Sequence, residues 1–282
     1  MFGNSHLLVD FIMSVARISL PLALAALAGF WSEKSGVPQV GLEGFLLLGA
    51  LTGATFADLF HALAPAFILT LVVGAFSGMF FFLLSETLEL NAILVGLVFN
   101  LLVAGVAPYV TKLLFGSTGP TPFLPPQLQW HIFPFLWLGI IFFGGLFVFN
   151  KTGFGVLVRF AGEKPAAIAS SGYSLSRVRL VCLALCGAIA ASGGCFLSTY
   201  LASNYSPMMS AGRGFIALAA LIFARWRWTE TLLIAVLFGF FDAAQIFLQG
   251  FNSPFPIQFF QAIPYVATLL VLLFHWSNPE RI

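Results

Sequence analysis

The sequence predicts an all-α, polytopic membrane bundle. Of 282 residues, 60% are hydrophobic and only 8% are charged, with mean hydropathy +1.01. A water-soluble domain carries roughly 25% charged residues because it needs a wet surface, so lipid must bathe most of this chain. Apolar runs recur at about nine places, most of them close to the ~20 residues that a hydrocarbon core about 30 Å thick requires. Backbone polar groups in lipid must find partners within their own segment, so these runs read as helices and not strands.

In chain order the expected crossings are 7–30, 41–60, 65–84, 93–115, 132–149, 177–200, 212–224, 229–249 and 257–276. All of them belong to one membrane domain, 1–282. The seventh is short and reads as a broken or tilted segment. The first lacks a basic flank and a small-residue cleavage site, so no cleavable signal peptide is expected. Cys182, Cys186 and Cys195 fall in one apolar stretch and read as small packing residues. His6, His61, His131 and His275 are scattered singly, so no metal-ligand spacing appears. No basic cluster stands apart from the apolar segments, which argues against a nucleic-acid partner.

Basic residues set the orientation. With the loop 150–176 in the cytosol, Lys34, Lys151, Arg159, Lys164, Arg177, Arg179, Arg225, Arg227 and Arg281 share its side. Arg17, Lys112 and Arg213 do not. The N-terminus is then outside and the C-terminus cytoplasmic.

Two segments look alike. Gly41-Leu42-Glu43-Gly44-Phe45-Leu46-Leu47-Leu48-Gly49-Ala50 aligns with Ala211-Gly212-Arg213-Gly214-Phe215-Ile216-Ala217-Leu218-Ala219-Ala220, and each follows an Ala/Gly-rich apolar run. The first copy starts on the cytoplasmic side and the second on the outer side. That pattern predicts an inverted repeat, with halves of about 7–115 and 177–276, of the kind that lets one half rock against the other.

The loop 150–176 is the longest polar cytoplasmic stretch. Within it, Glu163 and Pro165 suit a helix start and Gly172 a stop, which predicts a short helix lying across the cytoplasmic face. Polar groups inside lipid usually face a pathway or a neighbouring helix. Asn100 sits mid-segment, and Asp242, Gln245 and Gln249 form one stripe at helical spacing. Glu43 and Arg213 head the two similar segments, and Glu43 has either a helix N-terminus or Lys34 as partner. Phe45, Phe99, Phe215 and Trp226 could stack on a ring-shaped solute, although packing is the commoner use. Glu86 and Glu89 read as solvated turn residues, and the 34 phenylalanines as lipid-facing bulk.

Five stretches carry a family likeness: 21–50 (PLALAALAGFWSEKSGVPQVGLEGFLLLGA), 93–105 (ILVGLVFNLLVAG), 162–180 (GEKPAAIASSGYSLSRVRL), 212–226 (GRGFIALAALIFARW) and 263–272 (IPYVATLLVL). They resemble the inner-membrane permeases of the branched-chain amino acid, ribose and nucleoside importers of the ATP-binding-cassette superfamily. The likeness is nearest to the shorter permease of nucleoside or simple-sugar importers, through Ser32-Glu33-Lys34-Ser35-Gly36 and Gly41-Leu42-Glu43-Gly44. Gln39 stands where that branch usually has Asn, Ala224 where a Gly is usual, and Arg225-Trp226-Arg227-Trp228-Thr229 replaces a Trp-x-Pro stretch.

The resemblance implies a bacterial inner-membrane importer of a small polar solute, nucleosides first, built from two permeases and two ATPase domains on separate subunits. A second, longer permease and an extracytoplasmic binding protein or lipoprotein are implied as partners. No Gly-x-x-x-x-Gly-Lys-Ser/Thr loop is present, so ATP and Mg belong to partner subunits and this chain is expected to bind no cofactor and to be no enzyme. Gln39, Glu43, Asn100, Arg213, Asp242 and Gln245 are the expected pathway residues; Arg159, Glu163, Ala166, Ala167 and Gly172 are the expected ATPase contacts. Sugar or branched-chain amino acid permeases of the same family are the near alternative. An ion-coupled secondary transporter or a non-transporting scaffold is more remote.

Overall fold

The computed structural model describes residues 3–128 and 130–249. The ninth expected crossing (257–276), the stretch 263–272, Arg281 and the C-terminus lie outside the described residues. Among those described, ten α-helices follow in order: α1 (Gly3–Lys34), α2 (Leu42–Phe60), α3 (Leu63–Phe82), α4 (Ala92–Phe115), α5 (Phe133–Lys151), α6 (Gly153–Glu163), α7 (Pro165–Ser170), α8 (Leu175–Phe196), α9 (Arg213–Phe223) and α10 (Trp228–Gln249). α3 and α8 each run on into a π-helical turn, Leu83–Thr87 and Leu197–Leu201.

Seven of these helices are long and apolar enough to cross a bilayer, so the chain is a multi-pass membrane protein. They match seven of the nine expected crossings. The segment 212–224 needs correction. α9 has 11 residues, about 16 Å at 1.5 Å per residue, roughly half the hydrocarbon core. Its start is delayed because Met208, Ala211 and Gly212 all hold left-handed backbone angles, which no α-helix continues through.

α1 and α8 lie side by side at the centre, with α10 along α1, α3 along α8, and α2 between α8 and α4. The α8 span is 78% buried and the α5 span only 17%, which puts α8 in the middle and α5 on the lipid side. Small residues make the central seams. A Cβ on Gly187 would overlap the Gly74 carbonyl oxygen, and one on Gly49 would overlap the Ala191 carbonyl oxygen. In lipid, helices associate through such close backbone approach, because no hydrophobic force separates lipid tails from leucine. Cys182, Cys186 and Cys195 are free, buried and part of this packing.

The phenylalanines are not all lipid-facing bulk. Phe30, Trp31, Phe149, Phe154 and Trp228 form one cluster of edge-to-face and stacked rings. Phe67, Trp130, Phe133, Trp137 and Phe196 form another. Rings buried in this way add specific quadrupole contacts to bulk packing.

Residues 33–38, the α3–α4 turn, α6, α7, the start of α8 and the α9–α10 turn meet at one end of the bundle, which holds most of the basic residues. At the far end the α4–α5 loop pairs with the segment after α8. Thr121 N–H donates to the Tyr205 carbonyl (2.9 Å), Tyr205 N–H to Thr121 Oγ1 (2.9 Å) and Leu124 N–H to the Ser203 carbonyl (2.8 Å). Tyr205 is enclosed there, and burial pushes its phenol up to about 12, so the ring stays neutral.

Candidate functional site

α2 and α9, the two helices that carry the similar segments, both start inside the bundle, and their first turns touch. A Cβ on Gly214 would overlap the backbone of Glu43. The Glu43 carboxylate fills the junction: Oε1 accepts from Ser210 Oγ (2.5 Å) and Gly212 N–H (2.9 Å), and Oε2 from Gly214 N–H (2.7 Å). Of its two expected partners, Glu43 therefore takes the helix N-terminus; Lys34 lies 3.9 Å from Glu163 instead. The first N–H groups of a helix lack intrahelical acceptors and carry partial positive charge. A carboxylate answers both needs at a depth where water cannot.

Asn100, from α4, does the same for α2. Its Oδ1 accepts from Gly44 N–H (2.7 Å), and its Nδ2 donates to the Val40 carbonyl (3.0 Å). Gln39 is fully buried on the connector between α1 and α2. Its backbone N–H donates to Glu33 Oε1 (2.9 Å), its Nε2 to Cys186 Sγ (3.6 Å), and its Oε1 accepts from Gly41 N–H (3.3 Å). Three of the six expected pathway side chains are thus bonded to the helix starts and the connector.

The remaining three face outward from this junction. Arg213 pairs with Asp242 at 3.2 Å and also donates to the Met209 carbonyl (3.3 Å). Both charged side chains keep partial exposure, 19% and 27%, although each sits in or beside an apolar helix. Gln245 lies one turn further along α10 and is half-buried. Phe215 is exposed, whereas Phe45 and Phe99 are buried against each other with ring centroids 4.7 Å apart.

At the basic end, the expected short helix is present as α7. Ile168 is buried and pins it, while Ala166 is exposed, Ala167 is half-buried, and Gly172 (φ +77°) follows in the left-handed conformation. α6, which precedes it, was not foreseen within the polar loop. Arg159 on α6 donates to the Phe149 carbonyl (3.0 Å) and Asn150 Oδ1 (3.2 Å) and lies over the Phe149 ring. The α6–α7 junction rests on the α1–α2 connector, for a Cβ on Gly162 would meet the Lys34 carbonyl oxygen. Arg179 at the start of α8 braces the same place, bonding Glu86 (2.5 Å) and the Ser35 carbonyl (3.2 Å). Glu86 is therefore an ion-pair partner and not a merely solvated turn residue. Arg179, Glu33 and Ser210 were missed as site residues, because nothing in local spacing links them to partners far along the chain.

A cavity of about 300 Å³ opens among Glu33, Lys34, Gly36, Pro38, Gly162, Glu163 and Trp226. Trp226 closes one side, donating from Nε1 to Glu33 Oε2 (3.3 Å). The indole thus bonds a carboxylate of its own chain.

Comparison with known proteins fits this architecture. The chain is 29% identical to the guanosine ABC transporter permease protein NupQ of Bacillus subtilis, over 89% of this chain and 87% of that protein. It is 30% identical to the nucleoside ABC transporter permease protein NupC of Lactococcus lactis, over 90% and 88% respectively. A putative glucose ABC transporter permease protein, TsgC13 of Haloferax volcanii, is 26% identical over 93% of this chain and 90% of that one. No solved structure matches. The family model for the permease component of branched-chain amino acid transport systems matches residues 11–273, nearly the whole length, and the chain belongs to that family.

Proposed function

We propose that this chain is the membrane-spanning permease of an ATP-binding-cassette importer and that it carries nucleosides inward. The observation that carries the reading is α7: a short helix with an open outer face, seated on the packed junction of α1, α6 and α8 at the basic end. Separate ATPase subunits, which hold ATP and Mg, would press on Arg159, Glu163, Ala166, Ala167 and Gly172 and so bias the bundle between two states. The basic end is cytoplasmic in this reading, which the distribution of Lys and Arg supports. A second, longer permease and an extracytoplasmic binding protein or lipoprotein complete the machine.

The solute class rests on the guanosine and nucleoside permeases among the relatives. Arg213, Asp242 and Gln245 suit a neutral, many-hydroxyl solute, because they offer both donors and acceptors without a net charge beyond the ion pair. Sugars share that chemistry, and the glucose permease relative keeps them as the second reading. Uptake with labelled nucleosides and sugars competing through the cognate binding protein separates the two.

The inverted repeat also belongs to this reading. α1 pairs with α10 as α8 pairs with α3, and α2 packs on α8 as α9 packs on α1. This exchange of partners is what two oppositely inserted halves would produce.

Ala166→Arg tests the coupling segment. Ala166 is exposed, so a longer side chain leaves the core undisturbed. In proteoliposomes holding the complete complex, uptake is expected to fall at least tenfold with the permease still folded. Normal uptake by this variant would overturn the assignment of α7 to the ATPase contact.

A further inference from the structure

We propose that Glu33 and Glu43 form a two-ended clamp on α9, making the α1–α2 connector the part that moves this half-length helix. The two carboxylates lie ten residues apart in the chain and reach opposite ends of the same helix. Glu43 holds its N-terminus through Ser210, Gly212 and Gly214. Glu33 holds the turn after its C-terminus through Trp226 Nε1 and fixes its own connector through Gln39 N–H.

Backbone angles point the same way. Ala211 and Gly212 before α9, and Arg225 and Trp226 after it, all have positive φ (48°, 82°, 50° and 53°). Non-glycine residues rarely adopt this region, and they keep it where surrounding contacts fix them. Residues that absorb large backbone changes at element ends are also where hinged segments turn. α9 therefore sits between two strained joints, and a carboxylate flanking the connector, Glu33 at the end of α1 or Glu43 at the start of α2, is bonded at or beside each.

On the cytoplasmic side the connector lies against the α6–α7 junction, while Arg179 of α8 holds the Ser35 carbonyl beside it. Gly162, at the α6–α7 junction, lies against the Lys34 carbonyl and the Gly36 backbone, close enough that a Cβ on Gly162 would come within 2.5 Å of that carbonyl oxygen and force the two apart. The cavity between Glu163 and Trp226 lies beside this contact and leaves room for the junction to shift. A push on α7 is thereby transmitted through Gly162 to residues 34–39, and from there to both ends of α9. At its inner end α9 carries Arg213, whose pairing with Asp242 faces the open side of the junction. Glu33 and Glu43 are positioning residues: they touch no solute, and they set where Arg213 stands.

This inference rests on the reading of α7 as the ATPase contact, and the experiment separates the two. Trp226→Phe removes the indole donor and keeps an exposed ring, so folding is not at issue. Glu33→Gln keeps one acceptor oxygen, enough for Gln39 N–H, but sets its amide N–H2 against the indole N–H and so opens the Trp226 link alone; Glu33→Ala and the double variant Glu33→Ala, Trp226→Phe complete the set. Nucleoside uptake and ATP hydrolysis are measured on the same proteoliposomes. Trp226→Phe and Glu33→Ala are each expected to lower uptake per ATP hydrolysed about fivefold, with hydrolysis within twofold of the parent. The double variant should fall no further than Glu33→Ala, and Glu33→Gln should match Trp226→Phe, since each opens the same link. Unchanged uptake per ATP in Trp226→Phe, or losses that multiply in the double variant, would overturn the clamp. Should Ala166→Arg transport normally while Trp226→Phe does not, the clamp stands and the driving contact lies elsewhere.

Discussion

Glu43→Ala is expected to abolish uptake and to lower the melting temperature of the purified permease by several degrees. Three donors lose their acceptor together: Ser210 Oγ–H, Gly212 N–H and Gly214 N–H. Each buried donor left unpaired costs about 1–3 kcal/mol, and at this depth no bulk water replaces the lost carboxylate. The charge matters as well, since it lies against the positive N-terminal ends of two helices. Glu43→Gln keeps one acceptor oxygen but no charge, and it should fall between the parent and the alanine variant. Thermal unfolding in detergent beside an uptake assay reads both effects; a Glu43→Ala protein that melts with the parent would show the junction to be held by packing alone.

A second large effect is expected at the α3–α8 seam. Gly187→Leu should yield almost no monodisperse protein, because even its Cβ would overlap the Gly74 carbonyl oxygen and crowd the Gly78 N–H. Overpacking where side chains can shift costs about 1–3 kcal/mol, whereas here the obstacle is the main chain of a neighbouring helix. Gly105→Leu is the control, as a Cβ there meets nothing. Size-exclusion profiles of the two variants should differ sharply, and similar profiles would mean the seam can open.

The seven long helices were legible because lipid imposes one length and one composition on whatever crosses it, and α7 because Pro165 and Gly172 mark its ends. α9 was legible as a short segment, while its place against α2 was not. That contact depends on left-handed angles at Met208 and Ala211, and neither residue type advertises them. The polar residues told a similar half-story. Depth in lipid flagged Asn100, the repeated segment flagged Glu43 and the family likeness flagged Gln39, yet none of these told whether a solute or a helix end would use them. Arg179 and Glu86 looked like separate surface charges because their pairing joins the start of α8 to the α3–α4 turn. The seams were hidden for a plainer reason: many glycines lie in apolar helices, and only the packing distinguishes Gly187 from Gly105.

The burial of Cys182, Cys186 and Cys195, which are the chain's three cysteines, has a practical outcome. A water-soluble maleimide should find no reactive sulfur on the folded protein, so the natural sequence is already a silent background for labelling. A reporter thiol introduced at Ala166, on α7, or at Phe123, exposed at the opposite end, would then give an unmixed signal. In sealed, right-side-out cells, reagent added to the medium should tag the second position and spare the first.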